Sequence, residues 1–385
     1  MKALLQHLCV LGATVALASA QTPFNFKELW SKPGIMSAAF SPDGKMVAAG
    51  SSSSSGKTMV VLLNSQDGSL LDEWPAGAIG VWEVQFAPQG NLLAATSGGR
   101  VVSIFDLSSR DLLYSITTMD QGAPIAFSPT APILAVGDNR AISLYNAASG
   151  ALIRAWEVGT DAQGLGALNV IVFLPDGKSL ATGSGVRGIN VALKLWDVES
   201  GKELWSQPTA QTYGINSIAV SPDGQSLATG SAHLHFPGPM QLWNAGTGAL
   251  IHTFPAPMFS AAFSPQAPAL LTLDTNLTLW SLPPRSLLQQ KGIASTVFRS
   301  MVRFNPAGDR FLTAGMTLRV FETPLILLHP GISHSQLTLQ WMGPTNSFTL
   351  ESSDLSSPWT THSEASSTPI TIPVQPGAKY FRLKR

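Results

Sequence analysis

The chain has 385 residues, only 12% of them charged, and its 23 Lys and Arg balance its 23 Asp and Glu. That length suits one large β domain with a small companion, and the lack of a charge surplus excludes a basic nucleic-acid footprint or an acidic tail. Cys9 is the single cysteine, so there is no disulfide framework and stability must come from burial and hydrogen bonding.

The chain opens with "MKALLQHLCVLGATVALASAQ". Lys2 gives a charged start, an apolar run extends through Leu17, and Ala18-Ser19-Ala20 supplies small residues for cleavage, so residues 1–20 read as a signal peptide. Gln6 and His7 interrupt the run, which is short for a bilayer span of about 20 residues. The mature chain is expected to be secreted, or held in the periplasm or cell envelope, with no integral membrane segment.

From residue 39 one phrase recurs: "AFSPDGKMVAAG" at Ala39, "QFAPQGNLLAAT" at Gln85, "AFSPTAPILAVG" at Ala126 and "VFLPDGKSLATG" at Val172. "AVSPDGQSLATG" at Ala219, "AFSPQAPALLTL" at Ala262 and "RFNPAGDRFLTA" at Arg303 complete the set. In "SPDG" the proline presets φ at the second turn position and the glycine takes a positive φ, which makes each phrase a strand, a tight turn and a second strand. Pro42, Pro88, Pro129, Pro175, Pro222, Pro265 and Pro306 fall 41 to 47 residues apart. That period, with four short strands per unit, marks a propeller blade. The third and sixth copies read "PTAP" and "PQAP", so their first hairpins should differ locally.

Third strands end in an aromatic residue, as in "VALKLWD", "MQLWN", "LTLWS", "VSIFD" and "ISLYN", before a polar turn and an outer strand such as "ELWSQ" or "LIRAW". These units resemble the WD40 repeat, in seven copies across about residues 24–325, and "KLWDVESGKELW" from Lys194 is the nearest match. Trp196-Asp197 is the sole Trp-Asp dipeptide, and the Gly-His pair between blades is absent. The resemblance implies an all-β, seven-bladed propeller. "KELWS" occurs at both Lys27–Ser31 and Lys202–Ser206, and the second copy is an outer strand. The first copy should therefore be the outer strand that completes the seventh blade, with Leu325–Leu328 as the rival for that place.

After a linker at 326–332 the period gives way to alternation, with Leu337, Leu339 and Trp341, Ile370, Ile372 and Val374, then Phe381 and Leu383. Residues 333–385 resemble the short, fibronectin type III-like β-sandwich carried by many secreted bacterial proteins, through "FTLESSDLSSPWT" and the Tyr-Phe-Arg-Leu ending.

No Ser-His-Asp arrangement, paired-carboxylate motif, P-loop or zinc-protease motif appears. Gly183, Gly185 and Gly188 spell a dinucleotide fingerprint, but a strand follows where a helix is required. His233 and His235 would share one side of an extended segment, without an evident third ligand, so neither a metal nor a cofactor is expected. Asp43, Asp176 and Asp223 recur as turn formers. Four residues before the end of each first strand stand Met36, Trp82, Ala123, Asn169, Asn216, Phe259 and Ser300, which should gather at the central opening. With Tyr213, His235 and Phe236 from nearby loops, Met36, Trp82 and Phe259 form the expected binding surface. The competing role for Trp82 and Phe259 is packing between blades.

The reading is a noncatalytic, monomeric scaffold that binds a protein or polysaccharide ligand through propeller loops and has no nucleic-acid partner. The alternatives are a propeller enzyme of lactonase or lyase type, with its site at the central channel, and an envelope-attachment scaffold.

Overall fold

The computed structural model describes residues 7–11, 14–18, 26–51, 58–76, 79–88, 91–138, 141–159, 168–184, 192–210, 214–231, 238–257, 259–282, 287–292 and 300–324, and the strands between 326 and 384. The recurring phrase folds as its turn residues dictate. Gly44 takes φ +70° and its amide donates to the Ser41 carbonyl at 2.9 Å. Ser41 Oγ and the Lys45 amide donate to Asp43 Oδ1 at 2.6 and 3.1 Å, and Ser221 to Gln225 repeats the arrangement. Where glycine is missing the turn tightens: the Ile133 amide reaches the Ala131 carbonyl, and the Ala269 amide reaches that of Ala267.

Repeats two to six each form a four-stranded antiparallel sheet; the second comprises Val81–Phe86, Leu92–Ser97, Val101–Asp106 and Asp111–Thr117. The first and seventh repeats share a seven-stranded sheet, because strand Lys27–Phe40 serves both. Its first half pairs with Met316–Glu322, setting Lys27 opposite Glu322 and Trp30 opposite Val320. Its second half pairs with Met46–Ser51, setting Ala39 opposite Ala48. The inner strands of successive blades touch all the way around, so seven blades form a closed ring. The first "KELWS" is thus the outer strand of the last blade, and the rival segment does not supply it: Ile326–Ser333 pairs with Gln336–Met342.

The apolar cores lie between blades. One joins Val60 and Trp74 of the first blade to Val84, Leu93 and Phe105 of the second. Another joins Leu271 and Leu279 of the sixth to Phe311, Phe321 and Phe26 of the seventh. At the rim an outer-strand aromatic reaches the third turn of the next blade. Trp30 Nε1 donates to the Ser65 carbonyl at 3.0 Å, Trp74 Nε1 to Arg110 at 2.7 Å, Tyr114 OH to Ala147 at 2.7 Å and Trp205 Nε1 to Ala245 at 3.0 Å. A Cβ on Gly68 or Gly248 would come within 2.7 or 2.9 Å of the docked ring, so these turns must stay bare for the aromatic to lie flat. Burial pushes the Tyr114 phenol up to about 12.

Inside blades four to six, the third-strand tryptophan donates to a second-strand threonine: Trp196 to Thr182 at 2.9 Å, Trp243 to Thr229 at 3.0 Å and Trp280 to Thr272 at 3.0 Å. Blades one to three place Ala49, Ala95 and Val136 at the threonine position and Leu63, Phe105 and Tyr145 at the tryptophan position, so both partners are lost together. Blade seven is mismatched. Thr313 remains, Phe321 has no N–H to offer, and the buried Thr313 hydroxyl has no hydrogen-bond partner among the described residues.

Beyond the ring, Ile326–Ser333, Gln336–Met342 and Ile370–Pro373 form a three-stranded sheet, so residues 326–332, expected as a linker, run within a strand. Thr349–Ser353, Thr360–Glu364 and Lys379–Lys384 belong to a second sheet. Strands His7–Leu11 and Thr14–Ala18, within the expected signal, pair with each other, and the former also pairs with Lys379–Lys384.

Two outcomes test this account. Deleting residues 21–33 removes the closing strand and Phe26, whose burial alone contributes roughly 2–3 kcal/mol, so the thermal transition should fall sharply; an unchanged melting curve would reject closure by this strand. In chemical denaturation, Thr182→Val should cost about 1–3 kcal/mol by orphaning the Trp196 N–H, whereas Thr313→Val should be neutral or stabilise by up to about 1 kcal/mol.

Candidate functional site

The pairings Ile35 with Ser51, Val81 with Ser97, Leu168 with Ser184 and Ser217 with Gly230 set the start of each first strand beside the end of its second. Second-to-third-strand loops therefore leave from the face on which the central channel opens. The longest of them, with His233, His235 and Phe236, lie outside the described residues, as does Tyr213.

A cavity of about 90 Å³ occupies the channel mouth. Trp82, Asn169, Asn216, Phe259 and Ser300 line it, so residues from blades two, four, five, six and seven converge there from the same repeat position. Met36 sits beside this wall: a Cβ on Gly80 would meet Met36 Sδ and Trp82 Nε1 at 3.3 Å each. Ala123 is buried and its neighbour Gly122 takes its place in the wall. Trp82 lies against Gly122 so closely that a Cβ there would overlap its ring, yet Trp82 remains part-exposed. Phe259, also in the lining, is 7% exposed.

Two charged residues also line the cavity, Glu83 and Arg303. Glu83 holds the third blade in place. Its Oε1 accepts from Gln85 Nε2 at 3.0 Å and its Oε2 from the Ile125 amide at 3.3 Å, while Gln85 Nε2 donates to the Ile125 carbonyl at 2.9 Å. These bonds secure Ile125–Phe127, a first strand of only three residues. Arg303 Nη1 donates to the Val302 carbonyl at 3.0 Å. Desolvation deep in the ring draws the arginine below its ordinary pKa, and the Glu83 charge opposes that shift. Ser260 Oγ accepts from Ser217 Oγ at 3.4 Å and from the Val302 amide at 3.3 Å, tying blades five, six and seven together behind the wall.

Neither charged residue was singled out from sequence. A register shift between Val81 and Glu83 lets consecutive residues, Trp82 and Glu83, both face the cavity, which strict alternation forbids. The signal for Arg303 is the first letter of the recurring phrase: Ala, Gln, Ala, Val, Ala and Ala in six copies, Arg in the seventh.

Among the described residues no group of three or more His, Cys, Asp and Glu is arranged to hold a metal ion. Gly183 of the fingerprint closes strand Ser179–Ser184, where a Cβ would come within 2.7 Å of Ile215 and Val170; Gly185 and Gly188 lie outside the described residues.

The family described as WD domain, G-beta repeat matches residues 28–60, which contain most of the ring-closing strand, and residues 202–233 of blades four and five. No curated protein matches the chain. Among solved structures, a chain in the crystal structure of the mitotic checkpoint complex superposes with TM-score 0.65 at 20% identity, covering 81% of this chain and 96% of that one. The likeness shows the fold, an all-β propeller carrying WD40 repeats, an architecture that commonly mediates protein interactions and is generally noncatalytic. No described helix is long and apolar enough to cross a membrane.

The recurring aspartates act in turns. The Ser41 hydroxyl and then the Lys45 amide hold the Asp43 carboxyl below its ordinary value, and the Ser221 hydroxyl and Gln225 amide do the same for Asp223. A carboxyl depressed in the folded state stabilises fully above its unfolded pKa, near 3.8, and that contribution is lost as pH falls through the folded value. Wild type should therefore lose stability below about pH 4; the Asp43→Asn and Asp223→Asn double variant, compared in urea at pH 7 and pH 3, should show a smaller drop.

Proposed function

We propose that this chain is a noncatalytic scaffold, exported to the envelope or the medium, that holds a protein or polysaccharide ligand at the channel mouth. The observation that carries the reading is convergence: Trp82, Asn169, Asn216 and Ser300 come from four blades to one cavity, on the face from which the longest loops spring. A ring braced by interblade cores presents such a surface at little ordering cost. A neighbour of the same fold occurs in the mitotic checkpoint complex, and use in an assembly fits this reading.

Export rests on the leader-like composition of residues 1–20. The fibronectin type III-like assignment for residues 333–385 rests on the quoted strands, and that module would serve attachment. An enzyme at the channel is the weaker reading, because Glu83 is engaged with Gln85 and Ile125 and so is poorly placed to exchange protons with a substrate.

The test is affinity capture from the host's envelope and culture medium with immobilised chain. Asn216→Arg and Met36→Arg, which crowd the mouth without entering an interblade core, should each reduce capture at least tenfold with unchanged thermal unfolding. Capture of the same species at the same yield by both variants would move the site elsewhere.

A further inference from the structure

Among the described residues Arg303 is the one arginine lining the cavity, at a repeat position that the other six copies fill with Ala39, Gln85, Ala126, Val172, Ala219 and Ala262. A guanidinium carries five N–H donors in a fixed fork. Among the described residues its hydrogen bond is the single one from Nη1 to the Val302 carbonyl, and the side chain lines the cavity together with Glu83, whose charge acts on it.

Resting on the reading that the mouth is the binding face, we propose that this cavity seats a carboxylate presented by a peptide, from an acidic side chain or a free C-terminus, on the Arg303 guanidinium. The planar fork matches two carboxylate oxygens, and such charge-assisted pairs are about twice as strong as neutral hydrogen bonds. About 90 Å³ equals the share of roughly three waters, which is room for a carboxylate and its methylene stem. Asn216 and Ser300 offer further polar contacts, and Trp82 and Phe259 give the stem an apolar flank. Glu83 faces the same cavity, so it repels the guest and limits affinity. A dianion such as phosphate suffers that repulsion twice over.

The test uses full-length chain labelled with ¹⁵N-arginine, with the Arg303 Nε–H resonance assigned by its loss in Arg303→Gln. Three probes are titrated: N-acetylglycine for a C-terminal carboxylate, N-acetylaspartic acid α-amide for a side-chain carboxylate, and acetamide as the neutral control. A saturable shift with one or both carboxylates and none with acetamide is expected, and the probe that saturates identifies the source. Glu83→Gln, nearly isosteric and still able to accept from the Ile125 amide, should lower the midpoint at least threefold. A shift that fails to saturate, an equal response to acetamide, or equal or weaker binding in Glu83→Gln overturns the proposal. In affinity capture, a loss with Asn216→Arg but none with Arg303→Gln would also reject it while leaving the mouth as the binding face. Undiminished capture by the mouth variants, beside a saturable Arg303 shift, would remove the broader function and leave the carboxylate site standing.

Discussion

Each blade has an apolar face that only its neighbour can cover, and the rest of the molecule answers to that constraint. A four-stranded sheet with Val60, Leu62 and Trp74 on one side has no reason to be stable alone, and the second blade meets the same need with Val84, Phe86 and Leu93. The demand passes around the circle until Leu312, Leu318 and Val320 of the last blade meet Val47 and Val61 of the first. Closure is therefore part of the core. Strand Lys27–Phe40 meets the requirement by belonging to two blades at once, while Lys291 Nζ of the sixth blade donates to the Phe26 carbonyl at 2.8 Å beside the seam.

The same constraint explains why the rim is built from aromatics. Covering a flat interface leaves the outer edge open to water, and a long ring with a polar tip seals it while finding a carbonyl on the next blade. Trp30, Trp74, Tyr114 and Trp205 do this. Trp156 lies close to Gly201, but its indole nitrogen has no hydrogen-bond partner among the described residues, and at that junction Arg154 Nη1 instead donates to the Ser200 carbonyl at 3.1 Å.

Much of this architecture is legible in the sequence because it depends on local chemistry. Ser-Pro-Asp-Gly specifies its hairpin through residues that touch one another, and the doubled "KELWS" exposes the closing strand because equivalent positions in the ring demand equivalent side chains. The Trp–Thr pairing is legible too, once Thr182 and Trp196 are compared with Ala49 and Leu63. The site is harder to read. Counting from the end of each first strand finds Trp82, Asn169, Asn216, Phe259 and Ser300, but it assumes regular alternation. The irregularity between Val81 and Glu83 breaks that assumption and turns two successive side chains toward one space. Arg303 is the single charged residue in a column otherwise of Ala, Gln and Val, and its meaning comes from the depth of the channel, which no local pattern encodes.

The two-blade strand also sets a schedule for the growing polypeptide. Residues 27–33 leave the ribosome before any complete repeat, and the segment they must join, 316–322, arrives about three hundred positions later. Six sheets can assemble in the interval, yet the circle stays open and one hydrophobic flank stays wet until the seventh repeat has been made. The ring locks only when the seventh repeat reaches back to the segment made ahead of the first.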